Sequence, residues 1–334
     1  MNRIATLLAL VGLLGGCASH DGIHAGDLEP GRLTSSDISL NIPGLGPCTD
    51  NPDRTLRLDA SQPVHILVHG CFGSSGQFRA LAQVLAFHGQ QSACFTYDDR
   101  ARLTEGADAL RHAVSKLAAQ SSVPHVTVIG HSQGALIARR SMTEPSSAAP
   151  SGRAIDVRLV TISGPFAGIE SARTCGKSWL YPLTLGMVPL SCYLATGPKW
   201  ADITYSSPFI REPGALAQQV ANYLKIDTNE RGTCRREEGG RCAEGDEIFS
   251  LAEQRNSLIE TDRRARRVEV DAGHVEIVGD KRVAPTKLIK ILQDEGILRA
   301  TPTARQYAFS LLLSRVYQDD TVMPPDAVKT RSRH

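Results

Sequence analysis

Gly130-His131-Ser132-Gln133-Gly134 is the segment whose residue types and spacing could do covalent chemistry. The β-branched run Val126-Thr127-Val128-Ile129 precedes it, and an apolar run opening at Ala135 and reaching Ser141 follows. Strand, sharp turn and helix in that order lift a serine hydroxyl clear of a sheet and place it at a helix N-terminus. There the helix dipole favours developing negative charge. So tight a turn leaves no room for side chains two residues to either side, which is why Gly130 and Gly134 flank Ser132. A serine hydroxyl becomes a strong nucleophile only when a base removes its proton and a third group orients that base. Ser132 therefore demands a histidine and a carboxylate from elsewhere in the chain.

Three further segments share a pattern with the Ser132 turn. They are Val68-His69-Gly70-Cys71-Phe72-Gly73, Thr161-Ile162-Ser163-Gly164-Pro165 and Gly273-His274-Val275. Taken in order over residues 63 to about 280, these motifs resemble a bacterial lipase or esterase of the α/β-hydrolase family. Two departures stand out: Ala135 replaces a second glycine common after the turn, and the strand before the presumed acid is short and weak. The resemblance implies an α/β-hydrolase fold, with a mostly parallel central sheet, helices on both faces and a lid-like insertion. It also implies the chain order serine, acid, histidine.

That order selects among ten histidines. His20, His24 and His334 lie in tails; His69 and His131 belong to their motifs. His65, His88, His112 and His125 come before Ser132 in the chain. His274 is the histidine downstream of Ser132 within the folded part, and its pKa class suits general-base work. For the acid, Gly245-Asp246-Glu247-Ile248-Phe249 resembles the family's acid turn, so Asp246 is assigned. Asp227 is its rival, with Glu247, Asp202 and Asp271 behind.

An attacked carbonyl also needs preorganised donors for its oxyanion. The backbone N–H of Gln133 is the first. The resemblance gives the second to Cys71, with Phe72 as the alternative. The Cys71 thiol itself need not react, since no basic partner is evident in the sequence. Phe72, His131, Trp179 and Leu183 are expected to meet substrate. Trp179, Leu180, Tyr181, Leu183, Leu185, Met187, Val188 and Leu190 cluster between Cys175 and Cys192, a lining suited to an acyl chain. No metal motif, phosphate loop or dinucleotide glycine pattern appears, so no metal or cofactor is implied.

The elements that must position these residues alternate. Val64–Val68, Ser92–Tyr97, Val126–Ile129 and Val157–Ile162 read as strands; Phe78–His88 and Glu105–Ala119 read as helices. Alternation of this kind argues for a parallel sheet. Residues 165–213 break the rhythm and read as an insertion over the sheet. Gly214–Leu224 reads as a helix, Thr228–Gly245 as a loop and Val268–Val270 as a strand. Pro285–Glu295 and Thr303–Val316 read as closing helices. The hydrolase domain is expected over 51–300, with a C-terminal helix and loose tail over 301–334.

Composition excludes other classes. The chain has 334 residues, 41% hydrophobic and 22% charged, with a formal charge of +2, so no nucleic-acid partner is expected. At the N-terminus, Asn2 and Arg3 precede an apolar stretch, Ile4–Leu14, too short to span a bilayer comfortably. It ends Leu14-Gly15-Gly16-Cys17, which looks like a lipobox. Residues 1–17 are thus expected to be a lipoprotein signal with Cys17 lipidated, and 18–50 a tether and irregular lead-in. Ala18, rather than aspartate, favours the periplasmic face of a bacterial outer membrane, with acyl chains on Cys17 as the membrane anchor. An exported chain is free to form disulfides. The nearest pairs are Cys234–Cys242 and Cys175–Cys192, while Cys48 could join Cys94 or Cys71.

The expected activity is hydrolysis of carboxylic esters, acyl or lipid esters foremost, through an acyl-enzyme on Ser132. A thioesterase, phospholipase or acyltransferase would use the same machinery. A binding lipoprotein that keeps the fold without catalysis is the alternative of a different class.

Overall fold

A computed structural model describes residues 36–144, 155–172, 175, 184, 187–280 and 282–317. Cys17, Trp179, Leu183 and the tail beyond 317 lie outside the described residues. The elements run β1 (Ile38–Leu40), β2 (Leu45–Gly46), β3 (Leu56–Leu58), β4 (Val64–Val68), α1 (Arg79–Phe87), β5 (Gln91–Phe95) and α2 (Leu103–Gln120). Then come β6 (His125–His131), α3 (Gln133–Ser141), β7 (Asp156–Ile162), α4 (Met187–Thr196), α5 (Trp200–Ile203), α6 (Pro208–Arg211) and β8 (Val220–Asn229). The chain closes with β9 (Cys234–Glu238), β10 (Arg241–Gly245), α7 (Leu251–Gln254), α8 (Ser257–Glu260), β11 (Ala265–Asp271), α9 (Thr286–Asp294) and α10 (Gln306–Tyr317).

Seven strands form one sheet in the order β11-β8-β7-β6-β4-β5-β2. Every neighbouring pair is parallel except β2 against β5. A parallel sheet must be covered on both faces, and its strands read as apolar runs. Val64, Ile66 and Val68 of β4 face a cluster built with α2 and α3, while Leu67 faces the opposite cluster with α1, α9 and α10. The same alternation separates Val128 from Ile129 and Leu159 from Val160. Each such side chain, fully buried, contributes about 1.5–3 kcal/mol. The result is a helix–sheet–helix sandwich with all the crossover loops after β4, β6, β7, β8 and β11 at one edge, where ligands of open α/β sheets bind.

Three expectations change. The lead-in over 18–50 is not irregular throughout: β1 pairs with β3, β2 pairs with β5, and Cys48 is bonded to Cys94. Short apolar pieces among Gly and Pro residues suffice once a sheet edge accepts their hydrogen bonds. The segment read as a helix over Gly214–Leu224 becomes strand β8 from Val220. The segment read as a loop over Thr228–Gly245 holds the end of β8 and the β9–β10 hairpin, closed by Cys234–Cys242. Cys175–Cys192 is also bonded, and Cys71 is not in a disulfide. At the C-terminus, α10 docks on the domain through buried Leu312, Val316 and Tyr317.

Candidate active site

Ser132 sits between β6 and α3 with φ 57° and ψ −125°, a left-handed conformation that costs a non-glycine residue about 1–3 kcal/mol. The surroundings enforce it. Ser132 N–H donates to Ile162 O at 2.9 Å, pulling the turn against the end of β7. A Cβ on Gly130 would lie 2.3 Å from Gly134 O, and one on Gly134 would lie 2.3 Å from Val68 O, so both glycines are required by close approach. Gly70 passes directly beside Ser132: a Cβ there would be 3.5 Å from Ser132 Oγ.

His274 follows β11, and its ring lies 4.7 Å, centroid to centroid, from that of His131, the residue before Ser132. The Phe249 ring meets it edge-on at 4.9 Å. Among the described residues the Ser132 hydroxyl takes no hydrogen bond, to His274 or otherwise; such bonds are commonly long in an unliganded site and tighten with substrate.

The carboxylate on His274 is Glu230, which the sequence reading did not single out. His274 Nδ1 lies 2.9 Å from Glu230 Oε1, and the Glu230 side chain is fully buried. Glu230 also accepts from Thr228 Oγ1 at 2.8 Å and from the backbone N–H of Ile248 and Phe249, each at 2.7 Å. Four donors therefore fix this carboxylate, as a buried charge requires. Ser163, from the Thr161–Pro165 motif, is 2.6 Å from Thr228 Oγ1 and extends the chain of hydroxyls behind Glu230.

Asp246, the carboxylate expected in that place, instead holds the backbone of the histidine turn. Its oxygens accept from Val275 N–H at 3.0 Å and 3.1 Å and from Glu276 N–H at 3.0 Å, and its carbonyl accepts from His274 N–H at 2.9 Å. Burial raises the Asp246 carboxyl above the usual range, against these backbone donors, which lower it. Asp246 is near His274 because it fastens the backbone of the histidine turn from the segment after β10, not because the carboxylate meets the ring. The rival Asp227 is occupied by Lys225 within β8, and burial raises its carboxyl. Asp202 binds Arg102 and the N–H of Leu103 at the start of α2, and Asp271 accepts from Asn229.

His131 is not placed to meet substrate. It is buried, its Nε2 lies 2.9 Å from His274 O, and burial pushes its pKa well below the ordinary histidine value. Nε2 thus donates to the His274 carbonyl and ties the serine turn to the histidine turn. His69, stacked on Tyr97 at 4.4 Å, is likewise lowered by burial.

On the other flank, the Gln133 N–H opens α3 and has no acceptor among the described residues. The Phe72 N–H is taken by Asp99 Oδ2 at 2.5 Å, which sets the alternative donor aside. Phe72 has φ 55° and is half exposed on the rim. The Cys71 thiol does have a basic neighbour: Lys199 Nζ, from the insertion, lies 3.0 Å from Sγ. Among the described residues no group of three or more His, Cys, Asp or Glu could hold a metal ion.

No protein-family model matches the chain, and no curated protein matches it. Its structure is similar to a mature lipase from Bacillus licheniformis, at 15% identity over 77% of this chain and 100% of that one, TM-score 0.44. It is similar to an inhibited esterase B from Lactobacillus rhamnosis, at 13% identity over 92% and 94%, TM-score 0.47. An esterase from Pyrococcus furiosus matches at 16% identity over 87% and 95%, TM-score 0.43. Strand order, the strained serine turn after β6, and a carboxylate and histidine beyond β8 and β11 make this chain an α/β-hydrolase fold.

Proposed function

We propose that this chain is a serine hydrolase that cleaves carboxylic esters through an acyl-enzyme. The observation that carries the reading is the buried Glu230–His274 pair, packed on the His131 ring that immediately precedes a serine held in a strained strand-to-helix turn. In the reaction, Ser132 Oγ attacks the ester carbonyl carbon as its proton passes to His274 Nε2. Glu230, on Nδ1, keeps the tautomer and balances the imidazolium. The carbonyl oxygen, now an anion, takes hydrogen bonds from the backbone N–H of Gln133 and of Cys71. Collapse breaks the ester C–O bond, and His274 returns the proton to the leaving alcohol. Water, activated by the same histidine, then releases the acid and restores Ser132.

An apolar acyl group is the favoured substrate. Helix α4 exposes Met187, Leu190 and Leu194 on one side, with Tyr193 beside them, and Phe72 is half exposed on the oxyanion loop. Exposed apolar surface of this kind marks contact with an apolar ligand or membrane. The lipobox-like Leu14-Gly15-Gly16-Cys17 supports a protein on the periplasmic face of an outer membrane, anchored by acyl chains on Cys17. Mass spectrometry of the mature N-terminus tests the anchor.

The activity is tested with 4-nitrophenyl esters of increasing chain length and with a fluorophosphonate probe. Hydrolysis and labelling of the wild type, both lost in Ser132→Ala, are expected. A wild type that neither turns over nor labels is a binding protein on this fold.

A further inference from the structure

We propose that Lys199 is the positioning residue of the oxyanion hole, an inference that rests on the hydrolase reading above. Lys199 belongs to the insertion, between α4 and α5, yet its side chain is 2% exposed. A buried ammonium is tolerated only when its donors are matched. Nζ donates to Asp99 O at 2.7 Å, to Gln133 Oε1 at 2.9 Å and to Cys71 Sγ at 3.0 Å, and its charge lies 3.7 Å from Asp99 Oδ2.

These partners come from three places: the loop after β4, the loop after β5 and the first turn of α3. Two of them, Cys71 and Gln133, are the residues whose backbone N–H groups are to meet the oxyanion. The network closes on itself. Gln133 Nε2 donates to the same Asp99 carbonyl at 3.0 Å, and Asp99 Oδ2 holds the Phe72 N–H. Lys199 Nζ also lies 5.2 Å over the Phe72 ring.

The side chains of Gln133 and Cys71 are engaged by Lys199, while the Gln133 N–H has no acceptor among the described residues. One ammonium therefore braces two donors that β4 and β6, neighbours in the sheet, bring to the same edge. It also places a positive charge beside the position where negative charge develops. Both effects act on the transition state more than on the bound ester.

The test uses the full chain with Lys199→Met, which keeps the stem and removes the charge. The readouts are thermal unfolding, kcat and KM on 4-nitrophenyl butyrate, and inhibition by an alkyl trifluoromethyl ketone, which forms an oxyanion on Ser132. Expected are a kcat about 10–100-fold lower and a KM within about 3-fold. The ketone should weaken by the factor lost in kcat/KM, because both report the same oxyanion. Gln133→Met, which removes the side-chain partner and keeps the N–H, should show a smaller loss of the same kind. The double variant should be no worse than Lys199→Met alone within about 3-fold, since the two act as a unit. If Lys199→Met does not fold, Gln133→Met decides: ketone and kcat/KM must fall together. Unchanged kcat in a folded Lys199→Met, or a loss in KM with ketone binding intact, overturns the proposal. In either case an active, labelled wild type leaves the hydrolase reading standing. An inactive, unlabelled wild type removes both.

Discussion

The two flanks of Ser132 are held by different means. On the base flank, His274 and Glu230 lie a few residues beyond the ends of β11 and β8, so the sheet that makes the core also sets their spacing. The turn carrying His274 is then fastened by Asp246 and by the His131 ring. On the other flank, Cys71 and Gln133, the proposed oxyanion donors, sit on a loop and a helix start, and a lysine from the insertion touches both side chains. One flank depends on the fold as a whole. The other depends on a segment that packs over it, and should be the first to loosen when that segment is disturbed.

The comparison breaks most strongly at His274. His274→Ala should lower kcat about 10³–10⁴-fold with little change in KM, read from ester hydrolysis, because it removes the base without touching the oxyanion donors. A smaller loss is expected at Asp246. Asp246→Ala strips the acceptors from two backbone N–H groups and should cost about 1–3 kcal/mol in stability by urea unfolding, with turnover down about 10-fold as the turn relaxes. Gly273→Ala should act similarly, since a Cβ there would lie 2.1 Å from Asp246 Oδ2.

The insertion sharpens the contrast. Removing the Cys175–Cys192 bond by paired serine substitutions should cost up to about 3 kcal/mol, confined to the insertion. Activity should then be lost on warming before the sheet unfolds by circular dichroism, whereas the wild type should lose both together.

The smallest effect on turnover concerns pH. Burial lowers the His65 pKa to about 4 from the ordinary 6.5, with ring nitrogens 3.2 Å from Gln91 O and 3.3 Å from Ile297 O. Between those values the unfolded chain binds a proton that the fold refuses. Stability is therefore whole above about 6.5 and is lost as pH falls towards 4, by about 3 kcal/mol for this residue. His131 acts in the same direction. His65→Gln should flatten the dependence of Tm on pH over that window while ester turnover at neutral pH stays near wild type.

The Ser132 turn and the His274 turn are legible as local breaks after strand-like runs: Gly130–Gly134 after Ile129, Gly273-His274 after β11. Glu230 is not. Leu216, Val220 and Tyr223 fall at a helical spacing, so β8 reads as a helix. Its later residues Lys225, Asp227 and Thr228 are polar although all are buried, so they give no strand signal. A carboxylate just past an Ile-containing run that pairs with β7 was the available signal, and it needed the strand to be recognised first. Lys199 carried no signal, because residues 165–213 have no period and its meaning lies entirely in tertiary contact.

The central claim is that Glu230, not Asp246, serves His274. It is tested most directly by kcat on 4-nitrophenyl butyrate for Glu230→Gln and Asp246→Asn measured side by side. The account predicts a loss of about 10³–10⁴-fold for Glu230→Gln and no more than about 10-fold for Asp246→Asn. A near-native Glu230→Gln beside a collapsed Asp246→Asn would contradict it.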